Sequence, residues 1–253
     1  MQNVKLAKIV AYCDAALQTD AFEDWTGAFN GLQVENRGIV RQVAAAVDAN
    51  LTTCRLAVEA GANLLIAHHG LFWRPGHPWT GHRYKLIRLL MDYDLAVYSS
   101  HLPLDAHAEW GNNILICRAL KLENPKPFFP CKGRQIGFRA RSATPRDQLL
   151  GQLASILGDH PLLIPGGPEI CRNIGVVSGG AGAELSQVAA EGIDTFITGE
   201  GPHWTHALAE ELGLNVIYGG HYATETFGVK ALARELELKF RLPWFFVEHP
   251  TGL

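Results

Sequence analysis

The chain has 253 residues, 47% of them apolar and 19% charged, which is enough to build a sizeable buried core and excludes a disordered polymer. A formal net charge of −3 provides no bulk cationic surface of the kind that drives electrostatic binding to nucleic acid. The five cysteines, Cys13, Cys54, Cys117, Cys131 and Cys171, are scattered and form no C-x-x-C pair, so reduced core thiols are expected, not a disulfide framework or a zinc ribbon.

The first periodic stretch, 5–17, sets apolar residues at helical spacing among Lys and Asp and lacks the apolar core and cleavage site of a signal peptide. No apolar run approaches the about 20 residues that a membrane helix needs, so a cytoplasmic protein without membrane contact is expected. Strands are expected over 43–49, 63–69, 95–101, 137–142, 173–179, 194–200, 215–221 and 241–248. Helical stretches alternate with them over 51–60, 84–93, 111–120, 146–157, 183–191, 203–212 and 226–236. This alternation predicts an α/β fold with largely parallel strands. The proline-rich segment 122–133 cannot continue a helix and reads as a linker between a first half, 1–121, and a second half, 134–253.

The two halves look alike. EAGANLLIAHHG, a helix and then LAVYSSHLPLD in the first are matched by AEGIDTFITGEG, a helix and then NVIYGGHYATE in the second. Aligned on the glycines, Gly61 meets Gly192, and His68-His69 meets Gly199-Glu200. On the next strand His101 meets His221 and Asp105 meets Glu225, so His-x-x-x-acid occurs in both halves. A duplicated α/β fold is the expectation.

Ligands of open α/β sheets sit at the carboxyl ends of strands. His68 and His69 end one strand, His101 to Asp105 leaves a second, Glu200 ends a third, and His221 to Glu225 leaves a fourth. Imidazole and carboxylate together suit zinc, iron or manganese, and carboxylates can bridge two such ions. Five or six N/O ligands exceed one tetrahedral shell and suit two divalent ions about 3.5–4 Å apart. Taken singly, Asp105 and Glu225 are better explained as helix N-cap or first-turn residues that satisfy free amides. His101 reads equally as a hydrogen-bond partner of a ligand. His77, His82, His107, His160 and His249 receive no role, and His203 and His206 read as a solvated face. The glycines of SGGAGAE, 178–184, match neither nucleotide fingerprint and read as a tight turn before a helix.

NGLQVEN (30–36), AHHGLFW (67–73), SSHLPLDAH (99–107), ITGEG (197–201) and GGHYATE (219–225) resemble the Nif-three-like dinuclear-metal family, also labelled type 2 GTP cyclohydrolase I. The resemblance runs nearly end to end and is closest to the bacterial short form without an inserted domain. It implies two α/β halves facing each other across a metal cleft, and a ring-shaped homohexamer. It implies metal ligation by His68, His69, Asp105, His221 and Glu225, with His101 as a lining residue. The activity that it implies is hydrolysis of a small molecule, such as a nucleotide, by metal-activated water, with His101 or Glu200 moving protons. The alternative is a metal-holding scaffold that works through its ring. The apolar segments 78–80 and 243–246 and Trp110 are the surfaces expected to carry assembly.

Overall fold

The computed structural model describes residues 3–73 and 78–252; His77 lies outside them. In chain order come β1 (Val4–Lys5), α1 (Leu6–Leu17), β2 (Gly31–Val34), β3 (Ile39–Val40), β4 (Val43–Asp48), α2 (Leu51–Glu59) and β5 (Leu64–His69). Then follow α3 (His82–Asp92), β6 (Ala96–Ser99), the single turn α4 (Leu102–Asp105) and α5 (Asn112–Ala119). β7 (Glu123–Cys131), β8 (Arg134–Pro145), α6 (Arg146–Leu157), β9 (Leu162–Pro165), β10 (Ile170–Val176), α7 (Leu185–Ala190) and β11 (Thr195–Thr198) come next. The chain closes through α8 (Thr205–Leu212), β12 (Asn215–Tyr218), a second single turn α9 (His221–Thr224), α10 (Thr226–Phe240) and β13 (Trp244–Phe246). Among the described residues no helix is long and apolar enough to cross a membrane.

The chain forms two compact units, Met1–Leu104 with Gly228–His249, and Asp105–Phe227 with Pro250–Leu253. The first holds a five-stranded sheet in the order β13-β4-β5-β6-β2, parallel except for β2. The second holds a six-stranded sheet in the order β7-β8-β10-β11-β12-β9, in which β10, β11 and β12 run parallel and the outer pairs antiparallel. Strands of the first sheet read as near-continuous apolar runs, VAAAV in β4 and LLIA in β5, all buried, as expected of a sheet covered on both faces. Ala44, Leu65 and Val97 pack there with Ala57 and Leu90 from α2 and α3. In the second unit Ile174, Ile197 and Ile217 pack with Leu149 and Leu153 of α6.

These boundaries correct the expected linker and the division into 1–121 and 134–253. Residues 123–131 are strand β7, hydrogen-bonded to β8, and the units change over at Leu104 and Phe227. Proline is compatible with an edge strand because no outward N–H is required of it there. Pro125, Pro127 and Pro130 therefore rule out a helix without ruling out a sheet edge.

The duplication is written into the hydrogen bonds. Gly61 (φ 88°) and Gly192 (φ 75°) turn the chain out of α2 and α7 in a conformation that favours glycine. Two residues later Asn63 and Asp194 do the same work. The Asn63 Oδ1 accepts from the amides of Arg41 (2.9 Å) and Gln42 (3.4 Å), and the Asp194 carboxylate from those of Arg172 (3.1 Å) and Asn173 (2.8 Å). Ser99 pairs with Ala67 as Tyr218 pairs with Thr198. In that register the turns α4 and α9 begin at Leu102 and His221, so His101 matches Gly220 and not His221. One extra residue separates β12 from its histidine, and the alignment on histidines is one step out.

Of the apolar segments expected at subunit contacts, Trp79 is 48% exposed. Trp110 is half-buried and stacked on His107 with ring centroids at 4.3 Å, and Trp244 to Phe246 form a half-buried sheet strand.

Because Asp194 ties the start of β10 to the loop before β11, Asp194→Ala is expected to lower stability by about 1–2 kcal/mol, read as a reduced urea midpoint. Asp194→Asn, which keeps an acceptor, is expected to lose less; equal losses would show that the amide bonds contribute nothing.

Candidate metal-binding residues

In the first unit, β5 ends in His68 and His69, and His101 follows β6 on the adjacent strand. Their ring nitrogens come within 4.8 Å of one another, and the His68 ring centroid lies 4.9 Å from that of His69 and 5.0 Å from that of His101. Each ring is held at Nδ1 by an oxygen. His68 donates to the Ser100 carbonyl (2.9 Å), His69 to Asp48 Oδ1 (2.9 Å), and His101 to Asp24 Oδ1 (2.9 Å). An acceptor at Nδ1 fixes the proton there and leaves the lone pair of the neutral ring at Nε2, the usual arrangement of a metal-ligating histidine. Asp24 is held in turn by the amides of Trp25 (2.7 Å) and Leu102 (3.2 Å) and by Asn30 Nδ2 (2.8 Å). Burial works to raise the Asp24 pKa, but the hydrogen bond and charge of His101, with Asn30 and the Trp25 amide, hold it below the ordinary value. Trp73 packs edge-on against His69 and His101, with centroids at 5.3 and 5.0 Å.

In the second unit, His221 opens α9. Its Nδ1 meets Glu200 Oε1 at 2.7 Å and its Nε2 meets Glu225 Oε1 at 3.2 Å. Burial pushes the His221 pKa down, but the hydrogen bonds and charges of Glu225 and Glu200 overcome this and raise it to about 9. Glu225 is buried, whereas Glu200 is half-exposed. Gly179, with φ 67°, is where the turn after β10 presses on this pair: a Cβ there would overlap Glu225 Oε1. Gly182 lies equally tight against Glu200 O and Tyr218. Of the glycines of 178–184, Gly179 thus serves close packing against the Glu225 carboxylate and Gly182 close packing against the backbone at Glu200, in line with the turn reading. Asp105, buried at the end of α4, accepts at Oδ1 from Asn112 Nδ2 (2.8 Å) and Ser178 Oγ (3.1 Å). Asn113 accepts from the Ser178 amide at 2.6 Å and so holds that serine in place.

The donor chemistry of each set fits a divalent cation. Imidazoles pinned at Nδ1 present Nε2, and a cation beside His221 and Glu225 would take over the charge-balancing role of the second His221 proton. His68, His69, His101, Glu200, His221 and Glu225, all expected from their places at strand ends, gather in two clusters, and Asp105 is held by Asn112 and Ser178. Asp48 and Asp24, which orient His69 and His101, were not among the expected residues. Asp48 was legible, since it ends β4 and pairs in register with His69. Asp24 lies in an irregular stretch with no periodicity to flag it.

The fold and these clusters define an α/β protein with histidine–carboxylate sets able to bind metal. A sequence model described as Duf34/NIF3 (NGG1p interacting factor 3) matches residues 4–251, and the chain belongs to that family. It is 40% identical to a "GTP cyclohydrolase 1 type 2 homolog" of Deinococcus radiodurans, over 97% of this chain and 94% of that protein. It is 37% identical to a protein of the same description from Archaeoglobus fulgidus, over 99% and 100%. The crystal structure of TTHA1606 from Thermus thermophilus superposes with a TM-score of 0.92 at 41% identity, covering 99% of this chain and 100% of that one.

A His221 pKa raised from 6.5 to about 9 in the folded, metal-stripped chain makes a stability contribution that is complete below about pH 6.5 and lost as pH rises through about 9. The urea midpoint of chelated wild type is therefore expected to exceed that of His221→Gln most at low pH, with the gap closing over this window. A gap that is constant with pH would refute the assignment.

Proposed function

We infer that this chain is a metal-dependent hydrolase of a nucleotide, with His68, His69, Asp105, His221 and Glu225 holding a pair of divalent ions of the zinc, iron or manganese type. The observation that carries this reading is the common treatment of four histidines. His68, His69, His101 and His221 are each held at Nδ1 by an oxygen, three of these oxygens being carboxylate. Structural histidines do not need four such clamps at or just beyond the carboxyl ends of β5, β6 and β12.

Bound ions supply Lewis acidity, which makes water a nucleophile near neutral pH and polarises the substrate. Asp105 and Glu225, the latter next to His221, would bring carboxylate ligands to such ions. His101 accepts the proton of the attacking water at Nε2, and Asp24 at its Nδ1 stabilises the imidazolium that results. Glu200 holds His221 and, half-exposed, passes protons to solvent. The relatives' description supports GTP as substrate: one water attacks C8 of the purine and the C8–N9 bond breaks to leave a formamide on N7, then a second water cleaves the C8–N7 bond, so that C8 leaves as formate and N7 stays behind as an amine. Assembly into a hexameric ring and a cytoplasmic location complete the reading on the family resemblance alone.

Elemental analysis is expected to find about two divalent ions per chain, and Glu225→Gln to lose one. Glu200→Gln is expected to keep the stoichiometry and weaken affinity by about 10–100-fold, the scale of a lost partner to a ligating histidine. Equal metal loss in both variants would overturn the distinction between ligand and support.

With GTP and each metal in turn, formate release is expected from wild type and none from Asp105→Ala of unchanged far-UV circular dichroism. If Asp105→Ala restores a deletion strain fully, the chain acts as a scaffold and the hydrolase reading fails.

A further inference from the structure

Beside the histidine cluster the first unit carries a cavity of about 520 Å³, within the size range of small-molecule sites. Leu71, Phe72, Trp73, Trp79 and Leu86 make its wall largely apolar and aromatic, and Arg83 brings a cation to it. Phe72 and Trp79 meet edge-on (6.4 Å, 86°), and Trp73 meets the two histidines in the same way. Among the described residues no indole face here is covered by a parallel ring. Arg83 makes no ion pair among the described residues either. The start of α2 borders the cavity but is not an anion site, because the Asn50 side chain already accepts from the amides of Thr52 and Thr53. An aromatic cavity with one planar cation calls for a flat ring carrying negative charge.

We propose that this cavity binds a nucleotide, its base stacked on the indoles of Trp73 and Trp79 and its anionic group paired with Arg83. The proposal deepens the hydrolase reading by placing the substrate, and rests on it only for the chemistry after binding. Trp73 forms the wall shared with His69 and His101, so a base against it lies one indole away from the rings assigned to chemistry. Trp79 is then exposed in order to receive a ligand and does not serve as a contact between subunits.

The test is a fluorescence titration of the full chain with GTP, guanosine and inorganic triphosphate, using Trp79→Leu, Arg83→Gln and, as a control on the other unit, Trp204→Leu. Trp79→Leu is expected to weaken both GTP and guanosine about tenfold or more, the scale of one lost base–aromatic stack. Arg83→Gln is expected to bring the GTP affinity down to that of guanosine while leaving guanosine itself unchanged, and Trp204→Leu to leave both as in wild type. Wild type that fails to bind GTP, or a Trp79→Leu variant with wild-type affinity for it, overturns the proposal. So does a Trp79→Leu variant whose mass by light scattering falls while GTP binding persists, since that marks a subunit contact. Binding that depends on Trp79 and Arg83 without any turnover upholds the cavity and sinks the hydrolase reading.

Discussion

An imidazole ring can rotate about two bonds and carry its proton on either nitrogen, and both freedoms must be removed before its lone pair has a fixed position. Here one oxygen at Nδ1 removes both, and the rest of the fold is arranged to deliver that oxygen. Asp48 reaches His69 because β4 and β5 pair in the register that sets the two side by side. The Ser100 carbonyl reaches His68 because the chain leaves β6 while still hydrogen-bonded to β5. Glu200 reaches His221 from the end of the neighbouring strand. A slip of one residue in any of these pairings would turn every side chain of the strand to the other face and remove the oxygen. Sheet register, more than local sequence, therefore sets the chemistry of the rings.

The carboxylates meet a different constraint. A buried carboxylate costs free energy unless hydrogen bonds or a counter-charge replace its water. Asp105 is met by Asn112 and Ser178, and Ser178 is itself held by Asn113, whose amide also donates to the Ile136 carbonyl. Glu225 is met by His221 and by a turn so close that Gly179 has no room for a side chain. The glycine is thus required twice, by its positive φ and by its distance from Glu225.

Much of this was legible in the sequence. Short apolar runs between amphipathic stretches give the parallel strands, and histidines and acids at the ends of those runs give the clusters. What escaped notice did so for physical reasons. Asp24 sits where no period exists, and its importance comes from reaching back to His101 across the fold. β2, GLQV, is a short edge strand without an apolar run of its own, and the LLIP run of β9 is only four residues long and closed by a proline. Matching the repeat by sequence counts from histidine to acid, whereas backbone pairing counts from strand to strand, and the extra residue before His221 separates the two counts. In the proline-rich segment, what proline forbids in a helix is plain from the sequence; what it permits at the edge of a sheet depends on a neighbour that only folding supplies.

That edge has its own consequence. An outermost strand is an open template, with donors and acceptors waiting for any extended chain that drifts alongside. β7 presents ENPKPFFPC, in which three of nine residues have no N–H to offer, and a register shift after Glu123, with Asn124 at φ 48°, bends the strand away from a flat ladder. Phe128 and Phe129 are buried, so the strand keeps its apolar content while denying a newcomer a continuous row of bonds. The prolines thus act as gatekeepers, protecting a crowded solution of these chains from joining edge to edge into aggregates.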